Sequence, residues 1–219
     1  FFAFLFILIS LMSCSGYNKV MKGDDYARKF ELANELYDSK QYLRSVSLYE
    51  QIYQRMPKTG EGELSYFRIG NAYYLEKDYY MAGYYLGQFP QRFPYSAKAQ
   101  ESLFLSAMCS VNNSPEKSLD QNDTELAINN LQQFINKYPE SSLVDSCNHI
   151  MDKLRFKLES KDFDAVQMYS KTENYRAAVT TALTFLNDYP RSVYKEDAHY
   201  LLVKNSYHLA LNSIDKKKK

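Results

Sequence analysis

The chain has 219 residues, 45% of them hydrophobic, which suits one ordinary domain or one short repeat array and excludes global disorder. Lys and Arg number 27 against 26 Asp and Glu, so a net charge of +1 leaves no electrostatic footprint for nucleic acid. Seven Gly and six Pro are too few for a many-stranded β protein. The 21 Tyr, with no Trp, suit half-buried groove walls and interfaces or the aromatic positions of a helical repeat.

The first element is an address. Phe1 to Met12 is an uncharged apolar run, too short to span a bilayer comfortably, and it fits the apolar region of a secretory signal whose positive start is truncated. It ends in Leu11-Met12-Ser13-Cys14, which resembles a bacterial lipobox with Met12 as a loose fit. The expected organisation is a signal peptide over 1–13, a lipidated linker over 14–24, a repeat domain over 25–214 and a basic tail over 215–219. A covalent lipid on Cys14 would anchor the mature chain, since each buried methylene contributes about 0.8 kcal/mol. The alternative is an amphipathic first helix with an incidental Cys.

The remaining elements repeat. Four segments end alike, at Pro57, Pro94, Pro139 and Pro190, each with an apolar residue five positions earlier. In the last three an aromatic precedes the Pro, and Ser96, Ser141 or Ser192 follows two residues later. The Pro ends a helix, and the Ser is available to cap the next. The clearest unit carries Ile69-Gly70, Tyr73, Ala82, Leu86, Phe89 and Pro94 at tetratricopeptide spacing. Related sets are Leu32-Ala33 to Pro57, Ser106-Ala107 with Ala127, Leu131, Phe134 and Pro139, and Ala165-Val166 with Ala178, Ala182, Phe185 and Pro190. Gly70, Ala82, Ala127 and Ala178 are the expected packing positions, where small residues let two helices approach.

Turns at 39–42, 76–79 and 171–175 link the first (A) helix of a unit to the second (B). A polar loop over 112–124 replaces that turn in the third unit, with Asp123 or Thr124 as the expected cap of the following helix. A long helix from Ser142 through Phe163 runs on into the fourth unit, and a last unit from Ser192 stops after one helix near Ile214. Stacked pairs bury faces that one pair cannot. The expected fold is therefore all-α, about five tetratricopeptide (TPR) helix-turn-helix units in a right-handed superhelix whose concave side offers a groove.

Catalytic chemistry is not legible. His149, His199 and His208 show no metal or dyad spacing, Cys109 and Cys147 read as small buried apolar residues, and no phosphate loop or nucleophile elbow occurs. No metal or other cofactor is expected besides the lipid on Cys14. The lysines of the tail could touch anionic headgroups or simply be solvated.

The layout resembles the BamD family, tetratricopeptide lipoproteins of the bacterial β-barrel assembly machinery, in its Bacteroidetes form. The resemblance rests on Cys14 with the following Ser-Gly-Tyr-Asn-Lys-Val, on Ser118-Leu119-Asp120-Gln121 with Thr124, Ala127 and Phe134 to Pro139, and on Tyr175 to Pro190. It implies a non-catalytic scaffold on the periplasmic face of the outer membrane. Its C-terminal units would dock on the barrel-forming insertase, and its N-terminal units would offer a groove to unfolded outer-membrane proteins whose signals end in an aromatic. Tyr37, Tyr66, Tyr73 and Tyr74 are the candidate groove residues. Two other readings keep the fold and change the partner: a TPR lipoprotein of the envelope or peptidoglycan machinery, and a glycan-capturing lipoprotein, for which the absence of Trp is unfavourable.

Overall fold

The computed structural model describes residues 16–217, with side chains as far as Asn212. The signal-like run, Cys14 and the side chains of the lysine tail lie outside the described residues. All regular elements described are helices: α1 over 16–22, α2 (Tyr26–Asp38), α3 (Tyr42–Arg55), α4 (Gly60–Leu75), α5 (Tyr79–Arg92), α6 (Ala99–Asn113), α7 (Asn122–Lys137), α8 (Val144–Lys171), α9 (Tyr175–Asp188) and α10 (Lys195–Lys217). They form two compact units, one of residues up to 113 with 130–141, the other of 114–129 with residues from 142 onward. Within the units, helices adjacent in the chain pack on each other from α2 through α6 and from α8 through α10, as TPR-like repeats require.

In the first unit, α2/α3 and α4/α5 are helix pairs followed by α6. The spacing of apolar residues decides what is buried. Ala33, Tyr49, Ile52, Ala82, Leu86 and Phe89 are all inaccessible to solvent. Gly70 is where α4 meets α5: a Cβ there would stand 2.8 Å from Leu86 Cγ and 3.1 Å from Tyr85 Cβ. Ala82 is fully buried in the same core, and Ala127 and Ala178 are fully buried at the matching places in α7 and α9. A second close approach carries no repeat signal. A Cβ on Gly62 would lie 1.9 Å from the Met56 carbonyl oxygen, so backbone itself forbids a side chain in the first turn of α4.

The two kinds of turn have different chemistry. Between A and B helices, the chain closes with paired bonds such as Lys77 N–H to Tyr74 O (3.1 Å) and Asp78 N–H to Tyr73 O (2.9 Å). This is a Schellman closure, and its left-handed residue is Lys40, Lys77 or Glu173, with φ of 62°, 64° and 57°, where glycine is the usual choice. Between B and A helices, the pre-Pro residue accepts from the residue three ahead: Thr59, Ser96, Ser141 and Ser192 donate their N–H groups to Met56, Phe93, Tyr138 and Tyr189 at 3.0–3.2 Å. Pro at the second position suits such a β-turn. Thr59 also caps α4 by accepting from Gly62 N–H. Ser96 and Ser192 instead accept from the N–H two residues on, ahead of α6 and α10. The serines expected as helix caps thus act as turn closers.

Pro90 lies inside α5, where it has no N–H to offer the Leu86 carbonyl. Ser102, fully buried on α6, supplies the missing donor: its hydroxyl meets Leu86 O at 2.8 Å. One side chain of the next repeat completes the helix of the previous one.

In the second unit, α8 runs 28 residues, continuous as expected from 144 through 163 into the fourth repeat. The loop ahead of α7 is held by lysines of that helix. Lys157 Nζ donates to Ser114 Oγ and to Pro115 O, and Lys161 Nζ donates to Leu119 O at 2.7 Å. Asp123 and Thr124 do not cap α7, which begins at Asn122. The buried Gln121 and Thr124 side chains bond each other at 2.7 Å, and Asn122 N–H finds Asp120 Oδ1 at 3.0 Å. The hydrophobic centre of this unit is Phe163, Val166, Ala182, Phe185 and Ala198.

Ser102→Ala should cost about 1–3 kcal/mol, because it strands a buried carbonyl that α5 itself cannot satisfy; urea unfolding measures it. Lys77→Gly should raise stability by about 0.5 kcal/mol by removing left-handed strain, partly offset by a freer unfolded chain. A lower midpoint for Lys77→Gly would mean that the Lys77 side chain itself stabilises the turn.

Candidate peptide-binding face

On the A helices of the first unit, two cations have no carboxylate partner among the described residues: Lys29, which is buried and donates to the Gln51 side chain, and Arg68, which is half-buried. The Arg68 guanidinium, on α4, donates from Nη1 to Asn34 Oδ1 on α2 (2.7 Å) and to Tyr49 Oη on α3 (2.8 Å). Tyr49 Oη also donates to Asn34 Oδ1 at 2.8 Å. The Tyr37 ring lies 4.7 Å from the guanidinium carbon. Among the described residues no carboxylate lies within ion-pair distance of Arg68. The group is half-buried, and only Nη1 is engaged in these bonds. Its remaining N–H edge can receive a carboxylate or peptide carbonyls, which a fixed guanidinium fork does well.

Burial sets the protonation of the supporting rings. It pushes the Tyr49 hydroxyl up to about 12, against the opposing pull of Arg68, and it also raises Tyr37. Both remain neutral donors at physiological pH, so the positive charge of Arg68 is not cancelled by a phenolate.

The four tyrosines expected to line the groove separate into different roles. Tyr37 and Tyr74 occupy equivalent repeat positions, four residues after Ala33 and Gly70. Each is half-buried and meets the first aromatic of the following helix edge-on, Tyr37 with Tyr42 at 5.4 Å and Tyr74 with Tyr79 at 5.6 Å. Of the four, Tyr37 alone lies against Arg68. Tyr73 stacks on Tyr85 at 5.9 Å, and the Tyr85 hydroxyl donates to Glu50 Oε1 at 3.2 Å. Tyr66 is not a groove residue. It is 2% exposed, packed among Tyr53, Tyr85, Phe89 and Phe93 beside the Arg92 guanidinium. Tyr66 and Tyr73 share one face of α4 because they are seven residues apart, and that face turns toward α5.

Sequence reasoning missed Arg68 and Asn34. The available signal was an arginine directly before the Ile69-Gly70 pair, a position held by Glu31, Leu105, Asp164 and Leu201 in the other units. Elsewhere, Cys109 and Cys147 are buried free thiols, with Cys109 pushed up to about 12 by burial. His149 and His199 are exposed, and His208 stacks on Tyr175 at 5.1 Å. Among the described residues no group of three or more His, Cys, Asp or Glu side chains could hold a metal ion. No described helix is long and apolar enough to cross a membrane.

The family model described as outer membrane lipoprotein (YfiO) matches residues 24–219. The chain belongs to this BamD-type family. A curated relative, the outer membrane protein assembly factor BamD of Caulobacter vibrioides, is 21% identical over 175 residues, covering 80% of this chain and 57% of the relative. The chain thus spans little more than half the length of that protein.

An unfolded tyrosine ionises near pH 10, whereas Tyr49 in the fold holds its proton to about 12. The unfolded chain therefore releases its proton first, and the stability this group contributes is present below about pH 10 and lost as pH rises toward about 12. Urea midpoints followed across that interval should fall, and Tyr49→Phe should make the fall shallower. An equal slope in the variant would remove Tyr49 from the cause.

Proposed function

We propose that the protein is a non-catalytic scaffold subunit of the outer-membrane β-barrel assembly machinery, held at the periplasmic face of the outer membrane by lipid on Cys14. It binds the barrel-forming insertase and receives unfolded outer-membrane proteins. The observation that carries this reading is the family match over residues 24–219, combined with an Arg68 guanidinium left without a carboxylate partner beside the half-buried Tyr37 ring. Membership supports the assembly role, and the Arg68–Tyr37 arrangement supports the substrate class. A signal that ends in an aromatic residue presents a ring and a terminal carboxylate together. Tyr37 offers a face to the first, and Arg68 a paired N–H edge to the second.

Two experiments test this. Cross-linked, detergent-solubilised envelopes should yield, with the tagged lipidated protein, a large outer-membrane barrel carrying periplasmic repeat domains; recovery of peptidoglycan or nutrient-uptake proteins instead would move the function elsewhere. Cys14→Ser should release the protein to the soluble fraction, and continued membrane retention would sink the anchor.

The groove is tested separately, with a peptide ending in phenylalanine. Arg68→Ala should weaken its binding by about tenfold, the worth of one charged hydrogen bond, while leaving helix content unchanged. The C-terminally amidated peptide should bind native protein and variant alike. Equal affinity of both proteins for the free-acid peptide would exclude Arg68 as the carboxylate anchor.

A further inference from the structure

In the first unit the helices alternate in direction, so the α2–α3 and α4–α5 turns lie along one edge and the Pro turns along the other. The turn edge leaves a row of apolar side chains uncovered. Leu43 and Tyr80 occupy the same repeat position, the second residue of α3 and of α5, and are 56% and 70% exposed. Leu75, at the end of α4, is 45% exposed. Lys40 and Lys77 stand beside them in equivalent left-handed positions. A row of single apolar side chains interleaved with long flexible cations is the composition of a water–lipid boundary, where rings sit at headgroup level and ammonium groups reach outward.

The course of the chain leads to the same edge. α1 begins at Gly16 among the described residues, and Tyr17 Oη donates to the Arg44 carbonyl at 3.2 Å while the Arg44 guanidinium covers the Tyr17 ring at 4.5 Å. Arg44 is the third residue of α3. A cleft of about 660 Å³ runs along α1 and α2, from Gly23 and Arg28 near the start of α2 to Leu36 and Gln41 at the turn end, and Gly16 and Tyr17 line it at that turn end. Cys14 is two residues before Gly16, a reach of about 7 Å. A lipid on Cys14 therefore delivers this edge, and not the Pro-turn edge, to the bilayer.

We infer that the α2–α3/α4–α5 turn edge rests on the bilayer surface, with Leu43, Leu75 and Tyr80 at headgroup level. The inference rests on the Cys14 anchor proposed above. The charges facing the edge are balanced: Lys40, Arg44 and Lys77 against Asp38, Glu76 and Asp78. Contact therefore comes from apolar insertion after tethering, needs no anionic lipid and is insensitive to salt.

The chain has no Trp, so one introduced Trp reports alone. Cys109 and Cys147 are buried, which leaves Cys14 as the thiol that a maleimide lipid can reach in the chain starting at Cys14. Tyr80→Trp and Tyr95→Trp proteins are coupled in this way to phosphatidylcholine vesicles. Tyr95 is fully exposed on the Pro-turn edge. Emission of the Tyr80→Trp protein should move to shorter wavelength on the vesicle and be quenched by brominated lipid, unchanged by added salt, while the Tyr95→Trp protein does neither. An unshifted Tyr80→Trp protein, or equal shifts in both, overturns the inference. The supplied tether separates this result from the fate of the anchor, which the Cys14→Ser fractionation decides.

Discussion

The close approach of two helices at a position without a side chain is the constraint on which the repeat depends. At Gly70 the α4 backbone faces the Leu86 and Tyr85 side chains at about the distance of a single missing methyl. That approach lets Leu86 and Phe89 become fully buried, and lets α4 present Arg68 on one side and Tyr66 and Tyr73 on another. An α4 held farther from α5 would expose the aromatic cluster built on Tyr66. Core and candidate site are two faces of one helix, the first turned to α5 and the second to α2 and α3.

Tyrosine abundance has two physical explanations in this chain, and both operate. Buried rings such as Tyr49 and Tyr66 fill the spaces between repeats, with edge-on or tilted neighbours at 4.6–6.3 Å. The Tyr49 hydroxyl is placed where a cation and an amide meet it, Arg68 and Asn34, whereas the buried Tyr66 hydroxyl has no hydrogen-bond partner among the described residues. A Phe would fill the same volume and lose this polar end. The aromatic content thus serves packing and also positions a charge that the core would otherwise exclude.

The sequence made the helix pairs readable because Pro57, Pro94, Pro139 and Pro190 end them at fixed distances from apolar and small residues. It also made the long α8 readable, since its apolar spacing never breaks. It did not disclose which face of α4 looks toward the partner helix. Tyr66 and Tyr73 recur at seven residues, as either a groove lining or a core face would, and only the position of Phe89 and Phe93 decides between them. Arg68 was hidden for the same reason: its partners lie 19 and 34 residues away, beyond any helical period. Gly62 escaped because the group it avoids is a backbone carbonyl, which no side-chain pattern records.

The bond between Ser102 and the carbonyl that Pro90 leaves open has a consequence for how such a chain can change over time. The two residues form a lock with an order of opening. With Pro90 present, position 102 must keep a hydroxyl or another donor. Once Pro90 is replaced by a residue with an N–H, position 102 is released and can drift to alanine or another small residue. Lineages should therefore pass through Ser102 without Pro90 and avoid Pro90 without a donor at 102, an asymmetric coupling between neighbouring repeats rather than a symmetric covariation.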